Sequence, residues 1–462
     1  MWQEILFKRS KTFTEGDNPN CFDKNSPQVC AAIASGRSVW TCDKAGRWEC
    51  AKTCGHCAPT GAASTTTVPP KPQSSSLKQS TSTSSPKPTT PEPSKTEPRP
   101  PAKKAEIGCK NQNGEPVDWW YAYKLPDING HVSKCVQEGI GFLYMDGAKK
   151  EWTLSKKCLN AQDQAVAFTL KQLYDNKAKD DVYHSMYNDH HSTGKADSYR
   201  GHLKGVQVFN KNTGFWLIHS VPRFPPIDSY SYPDSGTNNG QSMLCVTYDT
   251  KAMLPKIAEQ LFYAMPSIFY SKLPAAMATE YPKLAEVVND RKTYTAGPKT
   301  NQMVLTSLGG KSFTHFAKNK KWDKDLYEDL VAPELKHDVY VETWLNGPGD
   351  LKSGCAGKTF KAWNMRQVKP AGIVFTSSKD HSKWAISDTE SDPWVCIGDI
   401  NRQQSQDDRA GGTLCSKDAQ IWKQYYAALD KKEVCDESTV QVGTGNTCSS
   451  GCSRCVCQCV DT

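Results

Sequence analysis

Nineteen cysteines among 462 residues restrict this chain more than any other feature. A reducing compartment rarely keeps so many unless they hold metal, and most of the spacings here are wide, unlike those of zinc knuckles. Six crowd between Cys21 and Cys57, eight are spread from Cys109 to Cys435, and five close the chain. The pattern is that of a disulfide-bonded protein made in the secretory pathway. The opening MWQEILFKRSKTF lacks the apolar run of a signal peptide, so the expectation is a native start that differs from this one. No stretch approaches the roughly 20 apolar residues of a membrane-spanning helix, and a soluble protein without a membrane partner is expected.

Composition divides the chain into five parts: an unassigned segment 1–20, a cysteine-dense module 21–57, a linker 58–104, a large domain 105–436 and a cysteine-rich tail 437–462. The linker is nearly all Ser, Thr, Pro and Lys. It cannot bury enough apolar surface to fold, and in a secreted protein it would be a glycan-bearing stalk or a plain spacer. In the large domain, VDWWYAYKLP, KGVQVFN and GFWLIHSV read as strands, while NAQDQAVAFTLKQLYD and KDAQIWKQYYAALDKK repeat apolar residues at helical spacing. Strands interleaved with helices predict an α/β or α+β domain. The net charge of +8 fits a polyanionic partner without demanding one.

Cys21, Cys30, Cys42, Cys50, Cys54 and Cys57 end as CAKTCGHC. So small a segment needs cross-links, and three bridges are expected, with fifteen pairings open; zinc on the last three cysteines and His56 is the rival. This close resembles that of the ShK-toxin-like (ShKT) domain. The resemblance implies Cys21–Cys57, Cys30–Cys50 and Cys42–Cys54, and a glycan or other surface target as partner. Channel-blocking members carry a lysine–aromatic pair where this loop has Arg47 and Trp48, so a targeting or spacer role is the expectation here.

Two His-x-Lys elements stand in the large domain, RGHLKGV with His202 and Lys204, and KDHSKWAISD with His381 and Lys383. Spacing alone gives them little weight, since a single such pair is usually a surface feature. Their surroundings give them more. CKNQNGEPVDWWYAYKLP, GHLKGV, GFWLIHSVPRFPP, GQSMLCVTYD and DHSKWAIS followed by PWVCIGDINRQQSQDDRAGGTLC closely resemble, in that order, deoxyribonuclease II. The resemblance implies a phospholipase D-like fold, two-lobed with a pseudo-twofold axis, in which each lobe gives one His-x-Lys element to a single site. It implies catalytic His381, Lys383, His202 and Lys204, supporting Asn401 and His219, 3′-phosphate ends and an acidic optimum. It also implies Cys109–Cys245, Cys355–Cys435 and Cys396–Cys415, leaving Cys135 to pair with Cys158. The lobes form a clamp, and a dimer is compatible with it.

The residue types suit the reaction. Splitting a phosphodiester needs a nucleophile, charge on the non-bridging oxygens and a proton for the departing alkoxide. A neutral imidazole can attack while an imidazolium donates, and two lysines can hold the phosphoryl oxygens, so no metal or other cofactor is expected. A phosphohistidine would split the reaction in two. Which histidine attacks stays open, His381 being the more secure in its motif. Asp388 reads as a loop carboxylate, because the first element has Phe209 at the matching place. His190 and His191 read as a solvated loop rather than a metal pair. At least one of Trp119 and Trp120 reads as core. Arg200 and Arg223 are candidates for sequence-independent contacts to the DNA backbone.

The five tail cysteines leave one over, free or bridging to another chain, with thiolate metal binding as the alternative. Secretion is the expected destination, the lysosome the second. Two rival functions remain: a secreted binding protein or toxin in which the small module acts on an inert nuclease fold, and a lipid hydrolase with the same chemistry. The intact His-x-Lys pairs oppose the first, and the wider sequence blocks oppose the second.

Overall fold

A computed structural model describes residues 105–289, 297–354 and 357–434. The six-cysteine module, the linker, the tail, Cys355 and Cys435 lie outside the described residues. The rest forms two sheets. The first takes β1 (Trp119–Lys124), β2 (Phe142–Asp146), β3 (Thr153–Leu154), β4 (Tyr183–Tyr187), β5 (Gly205–Phe209), β6 (Thr213–His219), β7 (Gln241–Asp249) and β8 (Ile268–Lys272), in the order β3-β2-β1-β7-β6-β5-β4-β8. The second begins with β9 (Thr300–Thr306), β10 (Ser312–Lys318), β11 (Val339–Glu342), β12 (Ala362–Val368) and β13 (Phe375–Thr376). It continues with β14 (Trp384–Ser387), β15 (Trp394–Gly398), β16 (Gly411–Lys417) and β17 (Leu429–Lys432), in the order β13-β12-β11-β14-β15-β16-β10-β9, with β17 on β12. The class is mixed α and β, as expected.

The same path runs through both sheets. β1-β7-β6-β5-β4 in the first has its counterpart in β10-β16-β15-β14-β11 in the second, and every neighbouring pair in both runs is antiparallel. A strand hides one face in the sheet interior and the other beneath whatever covers it. Trp119, Tyr121 and Tyr123 of β1 join Trp384, Ile386 and Ile397 of the second sheet in one central cluster. Trp120 and Ala122 turn the other way, onto Val166 and Leu170 of helix α1 (Ala165–Asp175). Both tryptophans are therefore core, and neither stacks on a base. Each buried ring of this kind stabilises the fold by about 1.5–3 kcal/mol.

Helix α1 begins where the side chain of Gln164 accepts the free N–H groups of Val166 and Ala167. Helix α2 (Thr250–Ala264) follows β7, is capped by Asp249, and ends at Met265 in the left-handed region. Helix α3 (Ala419–Tyr426) follows β16 in the same way, capped by Asp418. The sequence periodicity extends that helix through LDKK, but the structure stops it at Tyr426 and pairs Leu429–Lys432 with β12. The Ala428 carbonyl accepts the Lys369 N–H at 2.8 Å, and Asp430 accepts from the Gln367 amide at 2.6 Å. Edge pairing overrides helical preference there. Disulfides join Cys109 to Cys245, Cys135 to Cys158 and Cys396 to Cys415.

Candidate active site

Each His-x-Lys element is the run-in to a central strand, the first to β5 and the second to β14. Their backbones are fixed alike. The Lys204 carbonyl accepts the His219 N–H at 3.1 Å, and the Lys383 carbonyl accepts the Gly398 N–H at 2.9 Å. Each element is then gripped by the opposite sheet. The His202 N–H donates to the Ala410 carbonyl, just before β16, and the His381 N–H donates to the Gly240 carbonyl, just before β7, both at 2.8 Å. The Lys383 N–H adds a bond to the Ser242 hydroxyl at 3.1 Å. The end of α2 steers the first element, since the Met265 carbonyl accepts the Gly201 N–H at 2.8 Å. Gly201 is required by that approach: a β-carbon there would stand 2.1 Å from the Ala264 carbonyl oxygen.

All four side chains are buried. Asp189, just past β4, accepts from Lys204 Nζ and lies 3.6 Å from His202 Nε2 and 3.8 Å from Arg409 Nη2. Burial opposes the Asp189 charge, but Lys204, His202 and Arg409 together hold its carboxyl well below the usual range. His381 Nδ1 lies 3.1 Å from the Ser220 carbonyl and 3.2 Å from Gln241 Oε1, and its ring packs on Trp344 at 4.9 Å. Lys383 Nζ lies 3.1 Å from the same nitrogen and donates to the His381 carbonyl at 2.7 Å. Burial, then the nearby lysines, push both imidazoles well below their ordinary value. His381 senses Lys204, His202 and Asp189 electrostatically, so the two elements share one neighbourhood.

Of the supporting residues, His219 is wholly buried, its Nδ1 accepts the Val221 N–H at 3.2 Å, and burial followed by Lys204 pushes it down to about 3. Asn401 is buried with its side-chain oxygen unpartnered. Asp388, one residue past β14, is exposed and lies 3.5 Å from His337 Nδ1. His190 is exposed, and His191 bonds the Ser267 hydroxyl at 2.9 Å. Among the described residues no cluster of His, Cys, Asp and Glu could hold a metal ion. Arg200 is tied to Asp197, whereas Arg223 is exposed with its N–H on the His190 carbonyl at 2.9 Å, beside Asp189.

Sequence reasoning missed Asp189, Arg409, Gln241, Trp344 and Asp399. Burial pushes the Asp399 carboxyl up to about 8 against the pull of Lys204 and Lys383. The sequence signal for Asp189 is in YNDHH, where an acid directly precedes the two histidines.

An imidazole, a lysine and a guanidinium around one half-buried carboxylate, beside a second His-x-Lys pair at the seam of two sheets, have the chemistry of a phosphoester hydrolase, and the class is that of a nuclease. Residues 108–435 match the family model for deoxyribonuclease II, and the chain belongs to that family. It is 40% identical over 356 residues to cell death-related nuclease 6 of Caenorhabditis elegans, covering 74% of this chain and 92% of that protein. It is 36% identical over 334 residues to plancitoxin-1 of Acanthaster planci, covering 71% and 92%. Deoxyribonuclease-2-alpha of Rattus norvegicus is 36% identical over 338 residues, covering 71% and 95%. The protein is a deoxyribonuclease II-type nuclease. No helix among the described residues is long and apolar enough to cross a membrane.

Proposed function

We propose that this nuclease is a metal-independent acid endonuclease that cuts DNA to 3′-phosphate ends, with His202, Lys204, His381 and Lys383 in one site. The observation that carries the reading is the exchange of backbone bonds, His202 to Ala410 and His381 to Gly240, which draws the two elements to one seam. The repeated strand path supports a two-lobed, phospholipase D-like arrangement.

One imidazole attacks phosphorus with its lone pair while the bond to the 5′ oxygen breaks, and the other imidazole, protonated, gives that oxygen its proton. Water then attacks the phosphohistidine and yields a proton to the second imidazole. The phosphorus–nitrogen bond breaks, and a 3′-phosphate leaves. Lys204, Lys383 and Arg409 supply the positive charge that a metal would otherwise bring. An imidazole held below its ordinary pKa of about 6.5 takes up a proton only in acid, hence the acidic optimum. Substrate contacts are to the backbone, with Arg223 at the rim, and sequence-independent. Asn401 and His219 shape the site from behind. Secretion is the proposed destination, with the ShKT-like module as a targeting element.

The test is plasmid cleavage at about pH 5 in excess chelator, comparing the parent with His381→Ala and His202→Ala, followed by end-group analysis. Cleavage persisting in chelator, lost in both variants, and leaving 5′-hydroxyl termini supports the reading. Strict metal dependence sinks the mechanism, and unimpaired variants sink the site.

A further inference from the structure

The strand path repeats, but the surroundings of the two histidines do not, and the differences can be read position by position. Tyr187 pairs with Gly205, the residue after Lys204, and Glu342 pairs with Trp384, the residue after Lys383. Two residues past these partners come Asp189 and Trp344. Equivalent places therefore hold a carboxylate against His202 and an indole against His381. Likewise His219 pairs with Met243 and Gly398 with Thr413. Two residues earlier come Gln241, whose amide oxygen faces His381 Nδ1, and Gly411, which has no side chain to offer His202.

These differences fix where each ring carries its proton. A carbonyl can only accept, so the Ser220 oxygen at 3.1 Å, with Gln241 Oε1 at 3.2 Å, requires a proton on His381 Nδ1. Lys383 finds its own acceptor in the His381 carbonyl. The lone pair of His381 is then on Nε2, and among the described residues no carboxylate is hydrogen-bonded or ion-paired to that ring. His202 is the reverse. Its Nδ1 is buried without a partner, while its Nε2 faces Asp189 at 3.6 Å. That distance is too long for a hydrogen bond but short enough for charge attraction, so a proton there is favoured without being captured. It stays available to a leaving oxygen.

We propose that Asp189 is the positioning residue that divides the work between the two imidazoles, favouring the imidazolium form of His202 with a proton directed from Nε2, so that His202 protonates the departing 5′ oxygen and returns to neutral while His381 Nε2 attacks phosphorus. This rests on the two-histidine reading above. The groups facing His202 are Lys204 on its own run, Lys383 from the second element, Arg409 from the loop before β16, and Asp189 from the end of β4. The first three disfavour a charged ring, and Asp189 opposes them. In the first step the electron pair of His381 Nε2 forms the phosphorus–nitrogen bond, the bond from phosphorus to the 5′ oxygen breaks, and that oxygen takes the His202 proton. In the second, water gives its proton to His202 as its oxygen joins phosphorus and His381 is released.

The decisive probe is thymidine 3′-(4-nitrophenyl phosphate), whose leaving group departs without a proton. His202→Ala should lose DNA cleavage by about 100- to 10,000-fold, yet release about one nitrophenolate per enzyme and retain the nucleotide on His381, detectable by mass. His381→Ala should lose both activities. Asp189→Asn should lower kcat on DNA without raising KM, because it makes the site more positive, and should move the basic limb of the pH profile acidward by about one unit. Asp189→Glu, which keeps the charge, should restore the limb. A burst from His381→Ala in place of His202→Ala overturns the assignment while leaving the two-histidine site intact. Unimpaired DNA cleavage by both histidine variants defeats the site itself. An unmoved pH profile in Asp189→Asn, with KM raised, reduces Asp189 to a structural residue and defeats the proposal.

Discussion

Gly240 and His381 belong to different sheets and are joined by a 2.8 Å bond from the histidine N–H to the glycine carbonyl. The approach leaves no room for a side chain. A β-carbon on Gly240 would stand 2.4 Å from Asp380 Oδ1 and 3.3 Å from the Phe375 ring. Gly240→Ala should therefore cost about 1–3 kcal/mol and displace His381. Thermal melting measures the first effect. A fall in kcat larger than the stability loss explains, measured well below the melting temperature, reports the second.

Buried histidines set the acid limit of the fold. His184, His315 and His219 are driven by burial to about 4, 3 and 3, below their ordinary 6.5. Each is held neutral in the folded chain. Their contribution is complete above about pH 6.5 and is lost as the pH falls toward 3–4, on the order of a few kcal/mol apiece. Both His184 nitrogens lack partners, and its ring stacks on Tyr270 at 5.5 Å. His184→Phe keeps the stack and removes the titration, so it should flatten the decline in melting temperature between neutral pH and acid.

Asp399 acts in the opposite sense. Its folded value of about 8 lies above the ordinary 3.8, so the folded chain binds the extra proton. That contribution is present in acid and is lost as the pH rises from about 4 through 8. Asp399→Asn should leave the acid melting temperature nearly unchanged and raise the neutral one. Urea titrations at the two pH values check the sign.

The Cys396–Cys415 bridge ties β15 to β16 and closes a separation of 19 residues. Within it lie Asp399, Asn401 and Arg409. Replacing both cysteines with alanine should cost about 2–4 kcal/mol and, because Arg409 and Ala410 both contact the first element, should reduce cleavage at temperatures where the chain is still folded. Circular dichroism and a plasmid assay on the same sample separate the two losses.

Arg402 is wholly buried between Asp325 and Glu328, each at 3.4 Å, and also donates to the Ala362 carbonyl at 3.3 Å. Arg402→Met would leave buried Asp325 without its cation, while Glu328 keeps Lys358 at 3.3 Å, and should cost about 3–5 kcal/mol, visible as a lower urea midpoint. Adding Asp325→Asn and Glu328→Gln should recover part of it.

The strands around the first His-x-Lys element were legible because a strand buried on both faces reads as a continuous apolar run, as in GFWLIHSV, whereas those around the second were not read as strands. The elements themselves were legible only through the longer blocks that contain them. Gln241, Trp344 and Arg409 were not, and the reason is geometric. Each lies at the end of a strand or in a loop remote in sequence from the His-x-Lys element it meets, so no spacing links them. The helix running into β17 was misread for a related reason: local periodicity continues through Leu429, and only pairing with β12 ends it.

Every strand of one sheet precedes every strand of the other along the chain, although each supplies the carbonyl that grips its partner's histidine. A polypeptide severed anywhere between Lys272 and Thr300 would thus yield two fragments, each with one of the two proposed His-x-Lys elements and a docking edge for its mate. On that proposal neither should cut by itself, and recovered cutting on mixing would count reunions directly, turning the seam into a split reporter.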